Sequence, residues 1–109
     1  MKTITEKMVN WKIETLPEDM HPNDCFGLEP EDQKRVVNSI LKDMQWNEWA
    51  WCMVKVTGIY NGLTSYTVLG GCNFDDEKQF IECGYFSDMQ CEVLDDLNKR
   101  AKLLVESLA

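Results

Sequence analysis

The chain has 109 residues, 44% of them hydrophobic and 28% charged, and a formal net charge of −8. That length suits one modest core, so a single α+β domain over residues 1–109 is expected. The acidic balance repels nucleic acid and anionic membranes at long range and favours basic partners, which argues against direct nucleic-acid binding.

Residues 8–15 alternate, with Val9, Trp11 and Ile13 on one side and Asn10, Lys12 and Glu14 on the other, which predicts a half-buried strand. Leu16-Pro17-Glu18-Asp19 ends it, because Pro17 holds Leu16 extended and has no N–H for a ladder. Residues 17–28 carry two prolines and a glycine and read as a loop. A helix is predicted over residues 30–44, with Pro30 early, Glu31 and Asp32 at the positive end, and Val36, Val37, Ile40, Leu41 and Met44 as its apolar stripe.

Two β-rich runs, 48–60 and 63–71, flank Asn61-Gly62, a strong hairpin signal because a type I′ turn needs positive φ at both central positions. With Tyr60 facing Leu63, Trp51 would face Cys72 and Cys52 would face Gly71. Cys52 and Cys72 would then point to opposite sides of the sheet unless a bulge shifts the register. After Gly70-Gly71, Asn73 is expected to cap a short helix over about 75–82, and Gly84 to end it. Ser87 is expected to begin the last helix, with Gln90 completing a capping box and Phe86 and Cys91 forming a staple. Its predicted buried stripe is Met89, Val93, Leu97, Ala101, Leu104 and Leu108. The expected order is β-α-β-β-α-α: a small antiparallel or mixed three-stranded sheet with a central Asn-Gly hairpin, packed on one face by two main helices and one short one.

Residues 75–96 hold eight carboxylates against one lysine, a net −7 and nearly all of the chain's imbalance. Local roles explain much of it. Asp75, Asp76, Glu77 and Asp88 sit in first turns of helices, where each is worth roughly 0.3–1 kcal/mol against the helix dipole. Asp95 and Asp96 stand four residues before Lys99 and Arg100. Only Glu82 and Glu92 appear without a local role. One reading is a solvated acidic surface. The sharper reading is a partner-binding face, with Asp88, Glu92, Asp95 and Asp96 on the outer side of the last helix and the short acidic helix closely preceding them in the chain. A metal site fits worst, because carboxylates on a convex helix diverge and the DDE of 75–77 lacks the alternate ligands and central glycine of an EF-hand.

Catalytic chemistry has little support. His21 is the only histidine and lies in the Pro-rich loop. No nucleophile elbow, P-loop or dinucleotide fingerprint occurs. The five cysteines Cys25, Cys52, Cys72, Cys83 and Cys91 are an odd set without a Cys-x-x-Cys pair, so reduced thiols are expected, with Cys52 and Cys91 buried. No zinc spacing is present. No catalytic residue, cofactor or metal ligand is assigned. Trp49 and Trp51 share a strand face with Met53, while Ala50, Cys52 and Val54 form the other. Either the strand is covered on both sides, or one face is an aromatic patch that binds a partner or a second copy. No run of about 18 apolar residues predicts a membrane helix, and MKTITEKMVN lacks the apolar core of a secretory signal, so a cytoplasmic location is expected.

Leu16-Pro17-Glu18-Asp19, Trp49-Ala50-Trp51-Cys52, Leu69-Gly70-Gly71-Cys72 and Gly84-Tyr85-Phe86-Ser87-Asp88-Met89 resemble a family of small proteins encoded by phages and other mobile elements, over about residues 9 to 98. No activity is assigned to that family, so the resemblance implies context only: the host cytoplasm, and proteins that bind and block host proteins, defence nucleases included. The resulting expectation is a non-enzymatic binding protein whose partner is a basic host protein. Asp75, Asp76, Glu77, Glu82, Asp88, Glu92, Asp95, Asp96, Trp49 and Trp51 are its candidate partner-binding residues. Alternatives are a small cytosolic enzyme with a Cys or carboxylate site, and a structural or dimeric accessory protein.

Overall fold

A computed structural model describes residues 3–24 and 28–108. Strand β1 (Asn10–Leu16), helix α1 (Pro30–Asp43), strands β2 (Cys52–Tyr60) and β3 (Leu63–Cys72), helix α2 (Glu77–Glu82) and helix α3 (Tyr85–Leu108) follow in that order, with short 3₁₀ turns at Glu6–Met8, Pro22–Asp24 and Glu48–Ala50. The sheet is antiparallel throughout, in the order β1-β2-β3. The α+β class and the β-α-β-β-α-α order are those expected. No described helix is long and apolar enough to cross a membrane.

The hairpin turn forms as the Asn-Gly pair dictates. Asn61 and Gly62 both take positive φ, 46° and 81°. Tyr60 pairs with Leu63, and the predicted register holds as far as Val54 opposite Leu69. Beyond that point it slips by one residue, and Cys52 faces Cys72. The extra residue lies on β3 at Gly70-Gly71, where Gly71 has φ +63°. Bulges use this geometry to insert a residue and re-aim the side chains beyond it. The expectation that Cys52 and Cys72 point to opposite sides is therefore corrected: both are buried in one cluster with Val54, Val56, Phe80 and Met89.

One face of the sheet carries Trp11, Ile13, Val54 and Val56, and α2 and α3 cover it. Phe80 is fully buried beneath α2 and meets the rings of Trp49, Phe74 and Phe86 at centroid distances of 5.8, 5.5 and 6.1 Å. The other face carries Lys12, Lys55, Thr57 and Tyr66, with Lys55 Nζ lying 4.3 Å from the centre of the exposed Tyr66 ring. At the start of the chain, Ile4 is pinned to α3. Its N–H donates to Asn98 Oδ1 (2.8 Å), and Asn98 Nδ2 donates back to its carbonyl (3.1 Å).

Two helical expectations change. Helix α1 packs chiefly on the 3₁₀ turns Pro22–Asp24 and Glu48–Ala50. Of its stripe, Val37 and Ile40 are buried, whereas Leu41 and Met44 are exposed. Helix α3 begins at Tyr85, not Ser87, and the Asp88 N–H already donates to Gly84 O at 3.2 Å. The predicted capping box is absent, Gln90 is buried, and Cys91 is exposed. Met89, Val93 and Leu97 are buried as predicted, but Leu104 and Leu108 are 52% and 87% exposed. The reason is length: α3 runs along β3 and reaches Thr64, beside the hairpin turn, already at Arg100, so its remaining turns to Leu108 run past the end of the sheet.

Candidate functional site

The acidic residues divide into two groups. Some hold the fold together. Asp76 caps α2, its Oδ1 accepting the Gln79 N–H at 2.8 Å. Glu92 accepts from Thr67 Oγ1 at 2.9 Å. Asp96 accepts from Ser65 Oγ at 2.6 Å and pairs with Arg100 at 3.0 Å, while Arg100 also donates to Thr64 O. Glu92, Asp96 and Arg100 thereby tie α3 along the edge strand β3. Glu92 was expected to lack a local role; the partner it gains is a β3 hydroxyl distant in sequence. Glu82 also has one, an exposed i,i+4 pair with Lys78 at 3.8 Å, of a kind worth about 0–1 kcal/mol.

The second group faces solvent. Among the described residues, the side chains of Glu77, Asp88 and Asp95 are exposed and make no hydrogen bond or ion pair. The expected Asp95–Lys99 pair is not formed. On α3, Asp88 and Asp95 stand opposite the buried Val93–Leu97 stripe, about 180° away around the axis. Asp75 is exposed and its backbone closes the start of α2, its N–H donating to Gln79 Oε1 and its carbonyl accepting from Asn47 Nδ2. The outer surface of α2 and α3 thus presents Asp75, Glu77, Glu82, Asp88 and Asp95, with Asp76, Glu92 and Asp96 at its base.

Trp49 and Trp51 are core residues, which corrects the reading of an exposed patch. Trp51 is 5% exposed, and its Nε1–H donates to Met20 O at 2.8 Å. Trp49 is half-buried and packs on Phe74 and Phe80. The 3₁₀ turn Glu48–Ala50, capped by Asn47, rotates these indoles inward ahead of β2. Among the described residues, the exposed aromatics are Trp46, Tyr66 and Tyr85.

Four segments that are far apart in sequence converge at this end of the sheet. Glu18 reaches from the segment after β1 to the bulge, its Oε2 accepting the Gly71 N–H at 2.7 Å and its Oε1 the Met20 N–H at 3.1 Å. Trp51 holds the same segment through Met20 O. The Phe74 N–H donates to Trp49 O at 2.8 Å, and the Phe74 ring meets Tyr85 edge-on at 6.5 Å. Cys52 and Cys72 lie opposite one another beneath these contacts. The signal for the last pairing was present, since Gly-Gly next to a strand end marks a bulge. Glu18 had no such signal.

The chemistry available is limited. Burial pushes the Cys52 thiol up to about 12 and the Cys72 thiol up to about 11, so neither is an activated nucleophile. Cys83 and Cys91 are exposed, and Cys25 lies outside the described residues. His21 Nδ1 accepts the Asn23 N–H at 3.1 Å, a local loop contact. Among the described residues, no three His, Cys, Asp or Glu side chains gather as metal ligands. Comparison with protein-family models, curated proteins and solved structures finds no match for this chain.

Proposed function

We propose that this protein is a small non-enzymatic binding protein that engages a basic protein surface through the acidic outer face of α2 and α3. The observation that carries the reading is the set of exposed carboxylates Glu77, Asp88 and Asp95, whose side chains make no hydrogen bond or ion pair among the described residues. Hydrogen bonds to the fold account for Asp76, Glu92 and Asp96; Glu77 and Asp88 serve only the helix dipole from the first turns of α2 and α3, and Asp95 has neither role. Unpaired carboxylates in a region of net −7 steer an Arg- or Lys-rich partner toward this surface and then meet its cations in charge-assisted hydrogen bonds. The phage-like segments point to a host nucleic-acid-binding protein, such as a defence nuclease, as the target, with inhibition by occlusion of its basic groove.

The test is the double charge reversal Glu82→Lys with Asp95→Lys. Glu82 loses only an exposed ion pair, and Asp95 has no partner to lose. Glu92 is avoided because Thr67 Oγ1 would be left without its acceptor. The change takes residues 75–96 from −7 to −3. Stability should stay within about 0.5 kcal/mol of the parent. Capture of a basic protein from host lysate should weaken at least about tenfold, and the parent's capture should fade as salt rises. Capture that ignores both the salt and the substitutions would rule out this face.

A further inference from the structure

Past the bulge, Cys52 stands directly opposite Cys72 in the β2–β3 ladder. The two side chains are 2% and 4% exposed, share one core cluster, and are free thiols. Directly opposed residues in an antiparallel pair have Cα atoms about 4.5–5.5 Å apart. That lies inside the span of about 4.4–6.8 Å that a disulfide bridges. From this juxtaposition we propose that Cys52 and Cys72 form a cross-strand dithiol, which a small-molecule disulfide such as oxidised glutathione converts to an intramolecular disulfide that locks the open end of the hairpin.

The exchange balances in two steps. One protein thiolate attacks glutathione disulfide, forming a mixed disulfide and expelling one glutathione thiolate. The second protein thiolate attacks the protein sulfur of that mixed disulfide, forming the Cys52–Cys72 bond and expelling the second glutathione. Two protein thiols are oxidised, one glutathione disulfide is reduced, and both protons end on the released glutathiones. Cys72 must first give up its Sγ–H bond to Leu69 O, 3.3 Å long. The closed fold reacts slowly, because the thiolate is the attacking species and burial suppresses it. Reaction runs through opening of this end of the hairpin, where Glu18 holds the bulge. Cys83 and Cys91 lie outside the pair, on exposed surface of the helical layer.

The test uses the full chain with Cys25, Cys83 and Cys91 replaced by serine, so that only this pair can react. It is brought to equilibrium in buffers of reduced and oxidised glutathione, folded or unfolded in urea, starting from both the reduced and the oxidatively refolded protein. Acid quenching, alkylation and mass measurement then count the thiols. The folded chain should hold the disulfide, two hydrogens lighter, against at least about tenfold more reducing buffer than the unfolded chain, or about 1.4 kcal/mol in favour of closure. Persistent mixed disulfides, disulfide-linked dimers, or a folded chain that closes no more readily than the unfolded one would overturn the proposal. Should the triple variant not fold, cystine mapping of the oxidised parent decides: a peptide joining Cys52 to Cys72 is required.

Discussion

The two ends of the β2–β3 hairpin are built on different principles. At the closed end, two adjacent residues are enough. Asn61 and Gly62 tolerate positive φ, the turn follows, and the register follows from the turn. At the open end, nothing local is sufficient. Gly71 permits the bulge, but its N–H is satisfied by Glu18, 53 residues earlier, and the side chains it re-aims are packed by Phe80 from the helical layer. A turn can be written in two letters because it closes on itself. A bulge needs partners brought from elsewhere by the rest of the fold.

This contrast can be broken by substitution. The largest effect is expected for Phe80→Ala, which empties the space shared with Trp49, Phe74 and Phe86 and should cost about 3–5 kcal/mol in denaturant unfolding. If the open end depends on long-range packing, its amides near Cys72 should also lose hydrogen-exchange protection more than those at Tyr60 and Leu63. Equal loss at both ends would mean that the hairpin behaves as one unit.

Glu18→Ala should come next, at about 1–3 kcal/mol, because it removes a charge-assisted acceptor from the Gly71 N–H. Faster exchange of the Gly71 amide, with the Asn61-Gly62 turn unaffected, is the expected pattern. A variant as stable as the parent, with Gly71 still protected, would show that the bulge needs no clamp. Gly62→Val should cost somewhat more than 1 kcal/mol, because a β-branched residue resists the φ of +81° observed there. An unchanged denaturation midpoint would show that the turn does not control the closed end.

The acidic face shows the same division between local and distant causes. Sequence spacing alone places Asp88 in the first turn of the last helix and pairs Asp96 with Arg100, because i,i+4 neighbours on a helix are fixed by its pitch; it puts the cap of the short helix at Asn73, whereas Asp76 holds it. It left Glu92 unassigned because its partner, Thr67, lies across the α3–β3 contact. Spacing also assigned Asp95 to Lys99, a pair that the fold leaves unmade. Asp95, which has no hydrogen-bond or ion-pair partner among the described residues, is therefore a more informative position for partner binding than Glu92.

What the sequence determined by itself was whatever short-range geometry dictates: the alternating strand β1, the amphipathic start of α1, the Asn-Gly turn, the register beside it, and the α+β order. Each depends on residues within a few positions of one another. The tertiary structure alone decided which apolar surfaces find cover. Trp49 and Trp51 turned inward because a 3₁₀ turn and the 17–24 segment close over them. Leu104 and Leu108 stayed exposed because the sheet ends before α3 does. Cys52 met Cys72 because one inserted residue reverses the faces of everything beyond it, and that insertion is held in place by Glu18 and by packing from the helices.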